Sequence, residues 1–201
     1  MQQRRLLLAT NNPHKVTEMR ALLGDIPFTL VTPHDLGLTV EVEEPYATYL
    51  ENATQKARTF AEVSGELALA DDSGLEIDAM GGEPGVYSAR FGAPTMPYPQ
   101  RFALIEGRLA GVPVAQRTAR FRCVLVLATP PPDARHTHTE GVVEGQIALA
   151  AQGAAGFGYD PIFWLPERGM TMAELIPAEK DAISHRGRAA RAMAEVLRAW
   201  Q

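Results

Sequence analysis

Residues 69–90, LADDSGLEIDAMGGEPGVYSAR, hold the densest set of groups able to do chemistry in this chain. Asp71 and Asp72 close an apolar run and are followed by Ser73 and Gly74. Two carboxylates at the end of a strand, beside a glycine that admits a ligand to the backbone, can hold a divalent cation and take a proton from water. The same four residues also spell a solvated turn, since Asp, Ser and Gly favour turns. The choice between them rests on what else the chain carries.

Thr10-Asn11-Asn12-Pro13-His14-Lys15 lies between an apolar strand pattern and a helix pattern. Free backbone N–H groups and the positive end of a helix dipole suit a phosphate there, with Thr10 and Asn12 as side-chain donors and Lys15 as a point charge. The GxxxxGK[ST] spacing of a P-loop is absent, and an Asn-Pro turn with an exposed lysine is the plain alternative. Glu41, Glu43 and Glu44 precede the longest helix pattern. They are either favourable charges at a helix start or a source of one carboxylate to join Asp72 on magnesium. Lys56, placed on the polar side of that helix, reaches phosphate or stays solvated.

Further along, Gly153–Phe163 sets Phe157 and Tyr159 among glycines, with Gly158 between them and Asp160 after. Aromatics on such a backbone can stack on a flat base whose N–H groups the carboxylate accepts, or they can simply fill core. In EKDAISHRG, His185 and Arg186 open a helix, where the dipole disfavours positive charge. That local conflict points to hydrogen bonds with ligand oxygens.

These groups need a scaffold, and 201 residues suffice for one large domain or two small lobes on a shared sheet. A hydrophobic content of 46% with 21% charged residues describes an ordinary globular chain. The net charge of −5 argues against a nucleic-acid surface, though not against a small basic pocket for a polyanion. Cys123, the single cysteine, offers neither an internal disulfide nor a thiolate zinc cluster and reads as a core thiol. MQQRRLLLAT has too short an apolar run for a signal peptide or a membrane span, so a cytoplasmic protein away from membranes is expected.

The patterns predict strands over Arg4–Thr10 and Phe28–Thr32, with a helix over Lys15–Leu23 stopped by Gly24. A long helix spans Tyr46–Ser64, with Leu50, Ala53, Ala57, Phe60 and Ala61 on its apolar face. Short strands over Leu67–Asp71 and Leu75–Ala79 flank the DDSG turn, and a helix covers Pro97–Leu109. Thr118–Thr129 is a long strand, His136–Val143 and Gly145–Ala150 are two more, and a last helix starts near Ser184. Helices interleaved with strands, then strands in succession, imply α/β architecture with a mixed sheet.

TNNPHK, ENATQKAR, ADDSGLEIDAMGGEPGVYSARF, ARFRCVLVLA, GFGYDPIF and AEKDAISHRG occur in this order across nearly the whole chain. Together they resemble the bacterial branch of the inosine triphosphate pyrophosphatase family, house-cleaning enzymes for non-standard purine nucleotides. The resemblance implies an elongated mixed sheet flanked by helices, one domain over residues 1–201 with two lobes and the active-site cleft between them. It implies hydrolysis of ITP, dITP or XTP to the monophosphate and pyrophosphate, with magnesium (manganese as the alternative ion), in a homodimer. Thr10 to Lys15, with Lys56, would hold the triphosphate. Asp72 would be the general base and, with Glu43 or Glu44, a metal ligand, with Ser73 a substrate contact. Phe157, Gly158, Tyr159, Asp160, Lys180, His185 and Arg186 would line the base pocket. Asn11 departs from the family pattern, where bacterial relatives often carry Gly. The competing expectations are a related pyrophosphatase for other modified bases and a nucleotide-binding module without turnover.

Overall fold

In the computed structural model, residues 4–200 are described. The elements are β1 (Arg4–Leu8), α1 (Pro13–Leu22), β2 (Phe28–Val31), α2 (Tyr49–Ser64), β3 (Leu67–Ile77) and α3 (Tyr98–Arg108). They continue as β4 (Thr118–Ala128), β5 (His136–Ile147), β6 (Phe163–Leu165), β7 (Met170–Thr171), α4 (Pro177–Ile183) and α5 (His185–Arg198). The strand order is β2-β1-β3-β4-β5-β6-β7. β1 is parallel to β2 and β3, whereas β5–β6 and β6–β7 are antiparallel, so the sheet is mixed as expected. No described helix is long and apolar enough to cross a membrane.

The chain forms two compact units. The first comprises the chain up to Asp72, Cys123–Gly141 and the residues from Arg186 on; the second comprises Ser73–Arg122 and Val142–His185.

In the first unit, strand alternation sorts residues onto two faces. Leu6, Leu8, Leu67, Leu69, Cys123, Leu125 and Leu127 share a core with Met19 and Leu23 near α1 and with Ala190, Met193 and Leu197 of α5. The alternate residues Leu7, Ala68, Ala70 and Val126 are buried too, and α2 buries Ala53, Ala57 and Phe60. Parallel strands covered on both faces read as continuous apolar runs, which is why LLLA did not alternate. Burial pushes the Cys123 thiol up to about 12, with Asp71 and Asp72 adding to it against Arg186 and Lys15. It is an inert core group.

In the second unit, Leu75, Ile77, Ala119, Phe121, Val143 and Phe163 pack with Ile105 and Leu109 at α3. The other side carries ions: Arg120 reaches Asp78 at 2.9 Å and Glu144 at 3.0 Å, and Arg122 reaches Glu76 at 3.0 Å. These cross-strand pairs account for the Ala/Phe against Arg alternation of β4.

Several boundaries differ from expectation. α1 starts at Pro13 rather than Lys15, because Asn12 caps it and proline suits a first turn. Gly24 does not stop α1; Leu23 caps it with φ −108°. α2 starts at Tyr49 behind the Thr48 cap, which turns Tyr49 inward and leaves Leu50 38% exposed. The DDSG turn is absent, since β3 runs unbroken from Leu67 to Ile77. α4 was not foreseen; Pro177 sits in its first turn and Ser184 closes it, so α5 opens at His185.

The two strands expected on either side of Glu144 are also one, β5. Gly145 serves close approach rather than turning. A Cβ there would lie 2.6 Å from the Trp164 carbonyl oxygen and 2.7 Å from the buried Phe163 ring. Gly145→Ala should therefore cost about 1–3 kcal/mol through overpacking. Denaturant melts read this directly; unchanged stability would mean that β6 yields without strain.

Candidate active site

β3 carries both aspartates in adjacent strand positions, so their side chains leave on opposite faces. Asp71 continues the face of Leu67 and Leu69, covered by α1 and α5. Its Oδ2 meets Lys15 Nζ at 3.0 Å and Arg186 Nη2 at 3.2 Å. Arg186 also donates to Glu18 Oε2 at 2.7 Å. Burial raises the Asp71 pKa, but the charges of Lys15, Arg186 and Lys56 outweigh it and hold the carboxyl far below the usual range. Asp71 is a fixed anion.

Asp72 continues the opposite face, toward α2, where Asn52 Nδ2 donates to its Oδ2 at 3.2 Å. Burial first, and the Glu44 charge second, push its pKa up to about 6, against Lys56, Lys15 and the Asn52 hydrogen bond. The result is a carboxylate that accepts a proton more readily than its neighbour.

Of the three glutamates, Glu44 is the one whose charge acts on Asp72, and it pairs with Lys56. Glu43 is exposed, and its backbone oxygen accepts from Gln55 Nε2 at 3.3 Å. Glu41 lines a cavity of about 300 Å³ with Thr10, Asn11 and Lys56. Lys56 departs from the expected polar side of α2. It is largely buried, donating to the Asp71 carbonyl at 3.1 Å, and Asp71 and Glu44 raise its pKa against the burial that lowers it. In α2 the residues Tyr49, Asn52, Ala53, Lys56, Ala57 and Phe60 form one stripe at helical spacing. The two polar interruptions, Asn52 and Lys56, are the signal that could have revealed both.

The Thr10–Lys15 loop is placed at the carboxyl end of β1, where parallel sheets receive ligands. Its donors are not all free, as the sequence reading assumed. Asn12 Oδ1 accepts from the His14 N–H at 3.0 Å and from the Lys15 N–H at 3.4 Å, and the Asn12 N–H goes to Thr10 Oγ1 at 3.2 Å. Pro13 has no N–H to give. Thr10, Asn11, the Asn12 Nδ2 amide and the Lys15 side chain can still serve an anion.

In the second unit, Asp160 Oδ2 accepts from Lys180 Nζ at 2.6 Å and from the Phe157 N–H at 2.9 Å. Lys180 also lies 5.1 Å from the centre of the Phe157 ring. Gly158 takes φ +69°, which lets this turn close. Tyr159 is core, 3% exposed, with its hydroxyl on the Ser88 carbonyl at 2.9 Å and its ring edge-on to Tyr98. It supports the turn from behind instead of offering a stacking face. His185 stacks on Phe121 at 4.8 Å and 18°. Ser73, half-buried on β3, belongs to this unit as well. Arg186, expected with these residues, is in the first unit and is committed to Asp71 and Glu18.

The donor set can be tested against a metal by its chemistry. Two hard carboxylates on separate segments, Asp72 and Glu44, repel each other and have lysines close by. No group of three or more His, Cys, Asp or Glu with metal-holding geometry occurs among the described residues. One or two carboxylates completed by water and phosphate oxygens is the pattern magnesium favours, so the set fits.

The sequence profile of the Ham1 family matches residues 6–196. A dITP/XTP pyrophosphatase of Desulforamulus reducens is 47% identical over 193 residues, covering 96% of this chain and 95% of that protein. One of Methylococcus capsulatus is 45% identical over 98% of both chains. The structure of a HAM1 protein from Coxiella burnetii superposes with a TM-score of 0.88 at 39% identity, covering 96% of this chain and 98% of the other. With sequence and fold in agreement from end to end, this chain belongs to the Ham1 family.

Proposed function

We propose that this chain hydrolyses non-standard purine nucleoside triphosphates (ITP, dITP and XTP) to the monophosphate and pyrophosphate, with magnesium as the metal. The observation that carries the reading is Asp72, a buried carboxylate raised to about 6 beside Glu44, Lys56 and Lys15. Relatives named dITP/XTP pyrophosphatase at 44–47% identity support the choice of substrate. A second copy of the chain and a cytoplasmic setting complete the proposal.

When bound, the metal neutralises phosphate charge and orders the attacking water. Asp72 and Glu44 would hold it. Asp72 takes the proton of the water that attacks the α-phosphorus, while the bond to the bridging oxygen breaks and pyrophosphate leaves. Lys15 and Lys56 offset the developing negative charge, and Thr10 and Asn11 donate to phosphate oxygens. Asp71 reacts with nothing; it keeps Lys15 and Arg186 in place.

The base needs recognition groups of its own. A pocket that presents donors to a purine 6-oxo group leaves one unpaired against the 6-amino group of adenine, which is costly when buried. Lys180 and His185 are the candidate donors, Phe157 the stacking face, and Asp160 the acceptor that orients Lys180. The decisive measurement is pyrophosphate release from ITP, dITP, XTP, GTP and ATP with and without magnesium. At least a roughly 100-fold preference in kcat/KM for ITP, dITP and XTP is expected over ATP. Binding without release from any purine would leave the module reading standing, and preference for a modified pyrimidine would favour the related pyrophosphatase.

Asp72→Asn should abolish most turnover yet stabilise the metal-free fold. A carboxyl whose folded pKa lies above its unfolded value of about 4 costs stability once ionised. That cost is absent below pH about 4, grows toward pH 6 and is complete above it. The variant should gain about 1–3 kcal/mol at pH 8 in chelator, and nothing at pH 4. Calorimetry at the two pH values checks the sign; a loss at pH 8 would show that Asp72 is held by more than its neighbours here.

Lys15→Ala removes a charge-assisted phosphate contact worth roughly 1.5–3 kcal/mol, about 10- to 150-fold in affinity. Inhibition by tripolyphosphate should weaken by that factor while inosine binding changes little. Equal losses for both would take Lys15 off the phosphates.

A further inference from the structure

Asn52 lies inside α2 and is fully buried, 0% exposed, in a stripe otherwise made of Tyr49, Ala53, Lys56, Ala57 and Phe60. Alanine would be the better helix former there and would bury no polar group. The carboxamide is instead used on three sides. Its Oδ1 accepts from the Tyr46 N–H at 2.9 Å, and its Nδ2 donates to the Tyr46 carbonyl and to Asp72 Oδ2, both at 3.2 Å. Both Nδ2 hydrogens are thereby used, and the amide orientation is fixed. A flip would set donor against donor at Tyr46 and oxygen against oxygen at Asp72. One helical turn on, Lys56 makes the parallel link, pairing with Glu44 and donating to the Asp71 carbonyl.

We infer that Asn52 is a positioning residue for the metal-holding carboxylates: it fastens the segment carrying Glu44 to Asp72, so that the two like charges stay converged on one cation. The inference rests on the reading of Asp72 and Glu44 given above. Segment 44–46 has no regular structure of its own. Its separation from β3 is therefore set by the side chains that bridge them, and Asn52 is the bridge that touches Asp72 itself. Glu44 and Asp72 repel each other. Without the amide, Oδ2 of Asp72 loses the Asn52 donor and Tyr46 loses the two backbone bonds that Asn52 makes, so nothing at residue 52 resists their separation. Partners of this kind, behind the metal ligands, typically change metal affinity or activity by about 10- to 100-fold when removed.

The test is Asn52→Ala, read by Mn²⁺ titration of the nucleotide-free protein by electron paramagnetic resonance and by the Mg²⁺ dependence of pyrophosphate release. Mn²⁺ affinity should fall about 10- to 100-fold, and the Mg²⁺ concentration for half-maximal rate should rise in parallel. At saturating Mg²⁺, KM for ITP should stay within about 3-fold while kcat remains depressed. Gly145→Ala, destabilised in the other unit, should leave the Mn²⁺ affinity unchanged and so separates positioning from general loss of stability. Unchanged Mn²⁺ affinity and Mg²⁺ dependence in a folded Asn52→Ala protein would overturn the inference. If that variant does not fold, Asn52→Ser is read by the same two measurements; failure of both to fold would assign Asn52 to the fold alone and overturn it equally. Wild-type protein that binds Mn²⁺ but releases no pyrophosphate from ITP would sink the proposed activity, while the Mn²⁺ titrations would still decide the role of Asn52.

Discussion

The site depends on a constraint of strand geometry: consecutive residues of β3 cannot face the same way. Asp71 and Asp72 are chemically identical and adjacent, yet alternation delivers them to different surroundings. Asp71 meets Lys15 and Arg186 at 3.0 and 3.2 Å and is locked as an anion. Asp72 meets Asn52, and burial first, with the charge of Glu44 second, pushes it toward protonation. At about 4 Å and an effective dielectric near 20, one unit charge is worth about 4 kcal/mol, so the cations in contact with Asp71 are enough to overcome the burial that raises both aspartates. Had β3 turned at DDSG, as its residue types suggest, both carboxylates could have reached solvent and neither would have been tuned.

α2 supplies the polar partners of that strand without giving up its own packing. Ala53 and Ala57 bring the helix close, and the small side chains leave room for Asn52 and Lys56 to lie within the buried stripe. The cost of burying them is offset because each is engaged, Asn52 by three hydrogen bonds and Lys56 by Glu44 and a carbonyl.

Much of the scaffold was legible because it follows period. The apolar runs of β1 and β4, the Ala/Phe against Arg alternation of residues 119–122, and the long helix ending at Gly65 were all readable from spacing. What spacing could not convey was tertiary satisfaction. DDSG reads as a turn only if its polar groups lack partners, and here α1, α2 and α5 provide them. Gly145 reads as a break unless one knows that the Trp164 backbone and the Phe163 ring approach it. α4 is seven residues long, too short to show a period, and proline and serine mark its ends more clearly than any pattern. The same limit applies to Lys56, whose charge placed it on the polar side while its position in the stripe placed it inside.

The SHR segment shows how a motif can join residues with separate work. His185 and Arg186 open the same helix turn, but successive helical residues point about 100° apart. His185 stacks on Phe121 in the second unit, and Arg186 pairs with Asp71 and Glu18 in the first. Arg186 is 2% exposed, and its guanidinium helps fix the anion that also fixes Lys15. Adjacency in sequence therefore assigns these two side chains to one motif, whereas geometry assigns one to Phe121 and the other to the carboxylate cluster. The unfavourable dipole at the helix start is answered for Arg186 by Asp71 and Glu18: two buried or half-buried carboxylates outweigh the fraction of a charge at a helix terminus.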